Sequence, residues 1–212
     1  MAARTSIFVL LIALLLGGSK LAAQSLHKLS DLPEAFQETP KIILKFDSKQ
    51  STISNRNARI FGLRVGMSFD NKAATGFGIH FLASEFTRNF IVPDGNGGLD
   101  SIPALLDFRY MSLWFEYMIL SNKRWELSLP LAIGLGEARF RGFTESTNTP
   151  MLFAETSFEA QYKIVEWLAL SAGIGYRLPI TSTQKVGENF NSPIYRLGIR
   201  LFLGYFYRKV FP

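Results

Sequence analysis

The sequence predicts an all-β protein, an eight-stranded antiparallel up-and-down transmembrane β-barrel, and three observations carry that prediction. The first is a long alternating hairpin from Arg109 to Arg141. The second is a set of eight period-two stretches, and the third is the alternation of long and short links between them. In the hairpin, Met111, Leu113, Phe115, Tyr117 and Ile119 alternate with Tyr110, Ser112, Trp114, Glu116 and Met118. After the turn Ser121 to Arg124, Trp125, Leu127, Leu129, Leu131, Ile133 and Leu135 alternate with Glu126, Ser128, Pro130, Ala132, Gly134 and Gly136. Successive strand side chains point to opposite faces, so one face is large and apolar and the other mixes small, polar and charged groups. Arms of about ten residues match the span of a tilted strand through a bilayer, whereas strands of soluble proteins average about five or six.

The other strands follow in order. Lys41 to Asp47 is the weakest, with Ile42, Leu44 and Phe46 on one face. Arg59 to Phe69 sets Phe61, Leu63, Val65 and Met67 against Ile60, Gly62, Arg64 and Gly66. Ala74 to Glu85 sets Phe77, Ile79 and Phe81 against Gly76, Gly78 and His80. Beyond the hairpin, Met151 to Lys163 places Glu155, Ser157, Glu159, Gln161 and Lys163 on its polar face. Leu168 to Leu178 alternates large apolar residues with Ser171, Gly173, Gly175 and Arg177. The last strand, Ile194 to about Phe211, turns Tyr195, Leu197, Ile199 and Leu201 one way and Arg196, Gly198 and Arg200 the other.

Asp70 to Ala73, Ser121 to Arg124 and Ile164 to Glu166 read as tight turns. Ser48 to Ala58, Thr87 to Phe108, Gly142 to Pro150 and Thr181 to Pro193 read as longer polar links. Short turns on one side and long loops on the other are the pattern of a membrane barrel. An even strand count lets the sheet close and removes edges that lipid would leave unpaired.

The chain has 212 residues, no cysteine and a formal charge of +6. Its start joins a basic n-region, the apolar run Ile7 to Leu16 and the small-residue end Ala22-Ala23, the pattern of a secretory signal peptide. The expected division is a signal over 1–23, a periplasmic lead-in over 24–40 and the barrel over 41–212. In the lead-in, Ser30 to Phe36 has the residues for a helical turn or two, with Ser30 or Asp31 as cap and Pro33 in the first turn. Zero cysteines exclude a disulfide framework and a lipoprotein anchor.

Arg196-Leu197-Gly198-Ile199-Arg200-Leu201-Phe202-Leu203 in the last strand is similar to the assembly signal of small outer-membrane barrels: a polar residue, Gly two later, then alternating hydrophobics. With the strand pattern, this resembles the eight-stranded outer-membrane barrels of Gram-negative bacteria, OmpA/OmpX-like and porin-family, over about Lys41 to Phe211. Family members end on an aromatic residue, whereas this chain ends Phe211-Pro212. The resemblance implies a bacterial outer-membrane location. It also implies contact with lipopolysaccharide and phospholipid, handling by the barrel-assembly machinery, and a monomer.

The inward face collects Arg64, Lys163, Arg177, Arg196 and Arg200 with Glu116, Glu126, Glu155 and Glu159. An eight-stranded barrel is only wide enough for side chains to fill, and charges buried at this density need partners. The expectation is an interior charge network that fills the lumen; the alternative is a narrow conducting pore. Tyr117, Trp125, Trp167, Tyr205 and Tyr207 fall at the turn-side ends of strands, where amphipathic rings favour the headgroup level. Tyr176 and Tyr195 suit the opposite girdle.

Catalytic and cofactor readings find little to stand on. Gly76/Gly78, Gly134/Gly136 and Gly173/Gly175 sit at period two on the inward face, without the helix a dinucleotide loop needs. Glycine there makes room for large neighbours. His80, with inward serines including Ser84, Ser112, Ser128, Ser157 and Ser171, raises a hydrolase reading, which requires Ser and His in contact and a third group orienting the base. Asp94 to Asp100 spaces oxygens as a calcium loop does, but Leu99 and Leu105 stand where Gly and Glu belong. No basic run with interleaved aromatics points to nucleic acid. The expectation is a protein without catalytic, metal or cofactor sites: an envelope scaffold that presents loops. A lipid-modifying enzyme is the remaining alternative.

Overall fold

The computed structural model describes residues 27–93, 98–142, 148–181 and 188–204. Nine strands are present: β1 (Lys41–Ile53), β2 (Arg56–Phe69), β3 (Ala73–Leu82), β4 (Thr87–Pro93), β5 (Leu99–Ser121), β6 (Trp125–Arg141), β7 (Thr149–Val165), β8 (Leu168–Pro179) and β9 (Ser192–Phe202). All pairings are antiparallel. β1 bonds to both β2 and β9, and β3 bonds to β5, so eight strands close into a ring. β4 stands outside that ring. It pairs only with Leu99 to Leu105, the outer end of β5, and forms a blade above the barrel.

Two links differ from the sequence expectation. Ser48 to Ala58 is no loop: β1 runs on to Ile53 and β2 begins at Arg56. Ser54 and Asn55 turn the chain with φ of 47° and 63°, the left-handed pair of a tight hairpin turn. The strand continuation was hidden because Ser48, Gln50 and Thr52 on its outer face are polar. Long and short links therefore do not alternate strictly. Thr87 to Phe108 also holds the β4–β5 blade instead of a plain loop. At 23 residues, β5 is about twice what a crossing needs, and its surplus carries the blade. The tight turns at Asp70 to Lys72, Asn122 to Arg124 and near Glu166 agree with the expectation.

The sheet's outer face is apolar at mid-height. Phe77, Met111, Leu113, Leu131, Ile133, Leu135, Leu170, Ile174 and Leu197 are all exposed there. Alternate residues point inward and are buried. This is the reverse of a soluble ligand-carrying barrel, which would hold its large apolar residues inside. No described helix is long and apolar enough to cross a membrane.

A 3-10 turn (Leu29–Asp31) and α1 (Leu32–Ala35) precede the barrel, where the lead-in predicts a helical turn. Asp31 accepts the Lys28 N–H at 3.0 Å. The segment is held by the tight-turn ends of β5 and β2: His27 donates its N–H to the Ile119 carbonyl at 2.9 Å, and Phe36 packs on Phe69 at 5.0 Å. Residues 1–23 and the end of the chain from 205 lie outside the described residues.

Candidate functional site: a sealed lumen

The lumen is layered, and strand register dictates the layers. At the tight-turn end, Ile43, Ala74, Trp114 and Met118 form a small apolar cluster, with Phe202 packed against it, and Glu126 and Lys163 share that end. Trp114 fits because Gly66 and Gly76 face it from β2 and β3; a Cβ on either would stand within 3 Å of its ring. Its indole N–H reaches the Phe77 carbonyl at 3.2 Å.

The middle of the lumen is ionic. Glu116, on β5, takes Lys45 on one oxygen and Ser128 and Gln161 on the other, the last two at 2.7 and 3.0 Å. Glu155, on β7, meets Lys49 at 2.7 Å, Arg177 at 2.6 Å and Arg196 at 3.4 Å, and accepts the Tyr110 hydroxyl at 3.0 Å. Asp47 pairs with Arg64 at 2.9 Å, and Glu159 pairs with Arg196 and, at 3.8 Å, Arg64. Glu126 bridges Lys163 at 2.6 Å and Arg200 at 3.4 Å. Each carboxylate thus answers a cation from another strand, as desolvated charges require.

All nine charged residues that the sequence assigns to the interior lie in this web; Lys163, at the mouth, is the least buried of them. The sequence reading missed Lys45, Asp47 and Lys49, which β1 adds from the stretch read partly as a loop. Described residues in the web therefore comprise seven cations and five carboxylates, not the near balance expected from five and four.

The outer third is apolar, and nothing in the sequence reading anticipated it. Ile53, Ile60, Phe86, Leu106, Phe108, Phe140, Met151, Phe153 and Phe190 make one buried cluster across the lumen. Phe108 lies 4.9 Å from Phe190 and 6.1 Å from Phe153. Gly134 gives Phe153 its space: a Cβ there would stand 2.3 Å from the ring. Arg177 joins the layers, its guanidinium over Phe108, Tyr110 and Phe153 at 5.3–5.8 Å while it bonds Glu155. Phe108 and Phe190 come from stretches that read as polar links, and Phe86 falls between the third strand and the link after it. Residue counts in such links conceal single aromatics that fold inward.

Outer-end contacts pin this plug. Ser54 exchanges hydrogen bonds with Asn189, donating its N–H to the carbonyl and accepting the Asn189 N–H, each at 2.9 Å. Arg88 reaches Glu188 at 3.2 Å, and Arg56 lies 4.3 Å from the Phe86 ring.

The histidine and serine of the hydrolase reading do meet. His80 Nε2 and Ser112 Oγ are 2.9 Å apart, but Nδ1 has no hydrogen-bond partner to orient the ring, which instead stacks on Tyr110 at 4.4 Å. Both side chains are buried between ionic layer and plug. Of the interface aromatics, Trp125 and Trp167 are exposed at the turn side, Trp125 packs 4.9 Å from Tyr162, and the Tyr117 hydroxyl donates to the His27 carbonyl at 2.6 Å. Tyr176 and Tyr195 are exposed towards the other end. Tyr205 and Tyr207 lie outside the described residues. No cluster of metal-ligating residues occurs among the described residues, and the stretch resembling a calcium loop lies mostly outside them.

No protein-family model matches the chain, and no curated protein matches it in sequence. Solved structures do. The N-terminal β-barrel domain of Pseudomonas aeruginosa OprF matches at TM-score 0.50 with 9% identity, covering 77% of this chain and 98% of that one. Neisserial surface protein A matches at 0.48 with 12% identity over 77% and 96% of the two chains. Ail, the attachment invasion locus protein of Yersinia pestis, matches at 0.45 with 18% identity over 76% and 97%. With its ring of eight strands, apolar outer band and filled lumen, this chain has the fold of the small outer-membrane β-barrels.

Proposed function

We propose that this protein is a non-enzymatic barrel of the Gram-negative outer membrane, an envelope scaffold that displays its outer strands and loops. One observation carries the reading: the lumen is closed twice, by the interlocked charges and by the phenylalanine plug. A lumen filled by side chains leaves little room for a continuous water path or for a substrate inside it. What remains available to partners is the outside. The apolar band meets acyl chains, and above it Arg109 and Arg141 stand exposed beside half-buried Arg139, Asp107 and Glu137, suited to anionic headgroups such as those of lipopolysaccharide. Among the described residues, the β4–β5 blade extends beyond the barrel ring on the loop side. Delivery by a cleaved signal over residues 1–23, insertion by the barrel-assembly machinery and a monomeric state belong to the same reading.

The test is fractionation combined with gel mobility. The protein is expected in the outer-membrane fraction, running faster unheated than boiled because a closed barrel resists detergent denaturation. Recovery as a soluble protein, with no mobility change on boiling, would overturn the reading.

A further inference from the structure

The lead-in is not free in the periplasm and does not plug the mouth. Two of its contacts fall on outward-facing side chains, the His27 carbonyl on the Tyr117 hydroxyl of β5 and Phe36 on Phe69 of β2, and a third joins the His27 N–H to the Ile119 backbone carbonyl. These are the last residues of their strands before the tight turns, at the lower edge of the apolar band. Tyr117 and Phe69 continue the outward rows of Leu113 and Phe115, and of Val65 and Met67. The segment therefore lies against the outer wall, where band gives way to headgroups.

On this segment Leu29, Leu32 and Phe36 recur at three- and four-residue spacing, which puts them on one stripe of a helical turn. Ala35 is fully buried. Leu29 is 69% exposed and Phe36 46%, while the flanking Ser30, Glu34, Gln37 and Glu38 are exposed and polar. Leu29, largely uncovered, and Phe36, covered on one side by Phe69, stand beside the wall that lipid covers. An amphipathic turn at that level buries its apolar side about 5–10 Å into the boundary between headgroups and chains.

We infer that residues 29–36 form an interfacial collar, with Leu29 and Phe36 inserted into the phospholipid leaflet on the tight-turn side of the membrane. The occupant of this surface is lipid because the surface continues the lipid-facing band. The contact is apolar, and Asp31, Glu34 and Glu38 outnumber the flanking Lys28 and Lys41, so attraction to an anionic surface does not drive it. The collar consequently holds in zwitterionic bilayers and at high salt. The inference rests on the membrane placement proposed above.

Because the chain has no cysteine, single cysteines report cleanly. Nitroxides at Leu29→Cys, Phe36→Cys and Glu34→Cys would be compared in phosphatidylcholine nanodiscs with Leu131→Cys in the band and Asn55→Cys at the outer turn. Collision with oxygen marks lipid and collision with a nickel chelate marks water. The expected result groups Leu29 and Phe36 with Leu131, and Glu34 with Asn55, unchanged by added salt. Chelate access at Leu29 and Phe36 equal to that at Asn55 overturns the collar. Spin–spin broadening at Leu29 in discs holding two copies, with chelate still excluded, overturns it too, by showing a second chain as the cover. Chelate access at Leu131 would instead remove the membrane placement, a distinct failure.

Discussion

Glu155 shows how much of the lumen one side chain holds. It is buried with Lys49, Arg177 and Arg196 around it and Tyr110 donating to it. Removing one partner of a buried ion pair leaves the others uncompensated and costs about 3–5 kcal/mol. Glu155→Ala should therefore lower stability by that order in urea titrations of the lipid-inserted protein, whereas an exposed pair such as Arg109–Glu137 should contribute within about 1 kcal/mol. Gly134 makes the complementary point. Gly134→Leu would drive a side chain into Phe153 and should cost about 1–3 kcal/mol by overpacking. The double variant with Phe153→Ala should recover part of that loss; a strictly additive double variant would deny the close approach. The sequence showed Glu155 and Gly134 facing inward, since period two needs nothing more. It did not show which cation each carboxylate takes, because partners come from strands far apart in the chain. Lys49 was missed for a narrower reason, since its strand has polar residues on both faces beyond Phe46; Lys45 lies within the stretch read as a strand, opposite Ile42, Leu44 and Phe46, but was not assigned to the interior.

At the scale of elements, β6 is the clearest case of a strand readable from its residues. Leu129, Leu131, Ile133 and Leu135 are all exposed, and Ser128, Pro130 and Gly134 are buried between them. Leu131→Arg would place a charge in the middle of the apolar band and should destabilise the inserted protein by roughly 2–4 kcal/mol. Unchanged folding into vesicles would show that the outward face of β6 is misassigned. The β1–β2 hairpin was the least legible element. Its turn signal is a single Asn, and both Ser54 and Asn55 take positive φ. A β-branched residue in that conformation is unfavourable, so Asn55→Val should cost about 1–2 kcal/mol, again read from urea titrations. A neutral result would mean a connection as loose as the sequence suggested. The blade of β4 and β5 was missed because Asn89 to Pro93 is short and ends in Pro, which marks an edge or a loop equally well.

The whole molecule is a ring whose closure could be inferred from its even strand count, and whose contents could be inferred only in part. Charged inward residues announced an ionic layer; Phe86, Phe108, Phe140, Phe153 and Phe190 gave no such notice. Phe108 and Phe190 lie in stretches read as links and Phe86 at the edge of one, and they converge only after the barrel closes. The two layers act in series. Water reaching the ionic web from the outer side must first part the phenylalanines, and water among the phenylalanines must still displace paired guanidinium and carboxylate groups. Replacing Phe108, Phe153 and Phe190 together with alanine should leave conductance low, because the ionic layer still fills its section. Adding Glu155→Ala and Arg177→Ala to that variant should raise leak, provided it folds. The direct measurement is the wild-type protein, purified as a folded monomer and inserted into planar bilayers under an applied voltage. A sealed lumen predicts insertion without discrete conductance steps, whereas sustained single-channel steps of uniform size would contradict it.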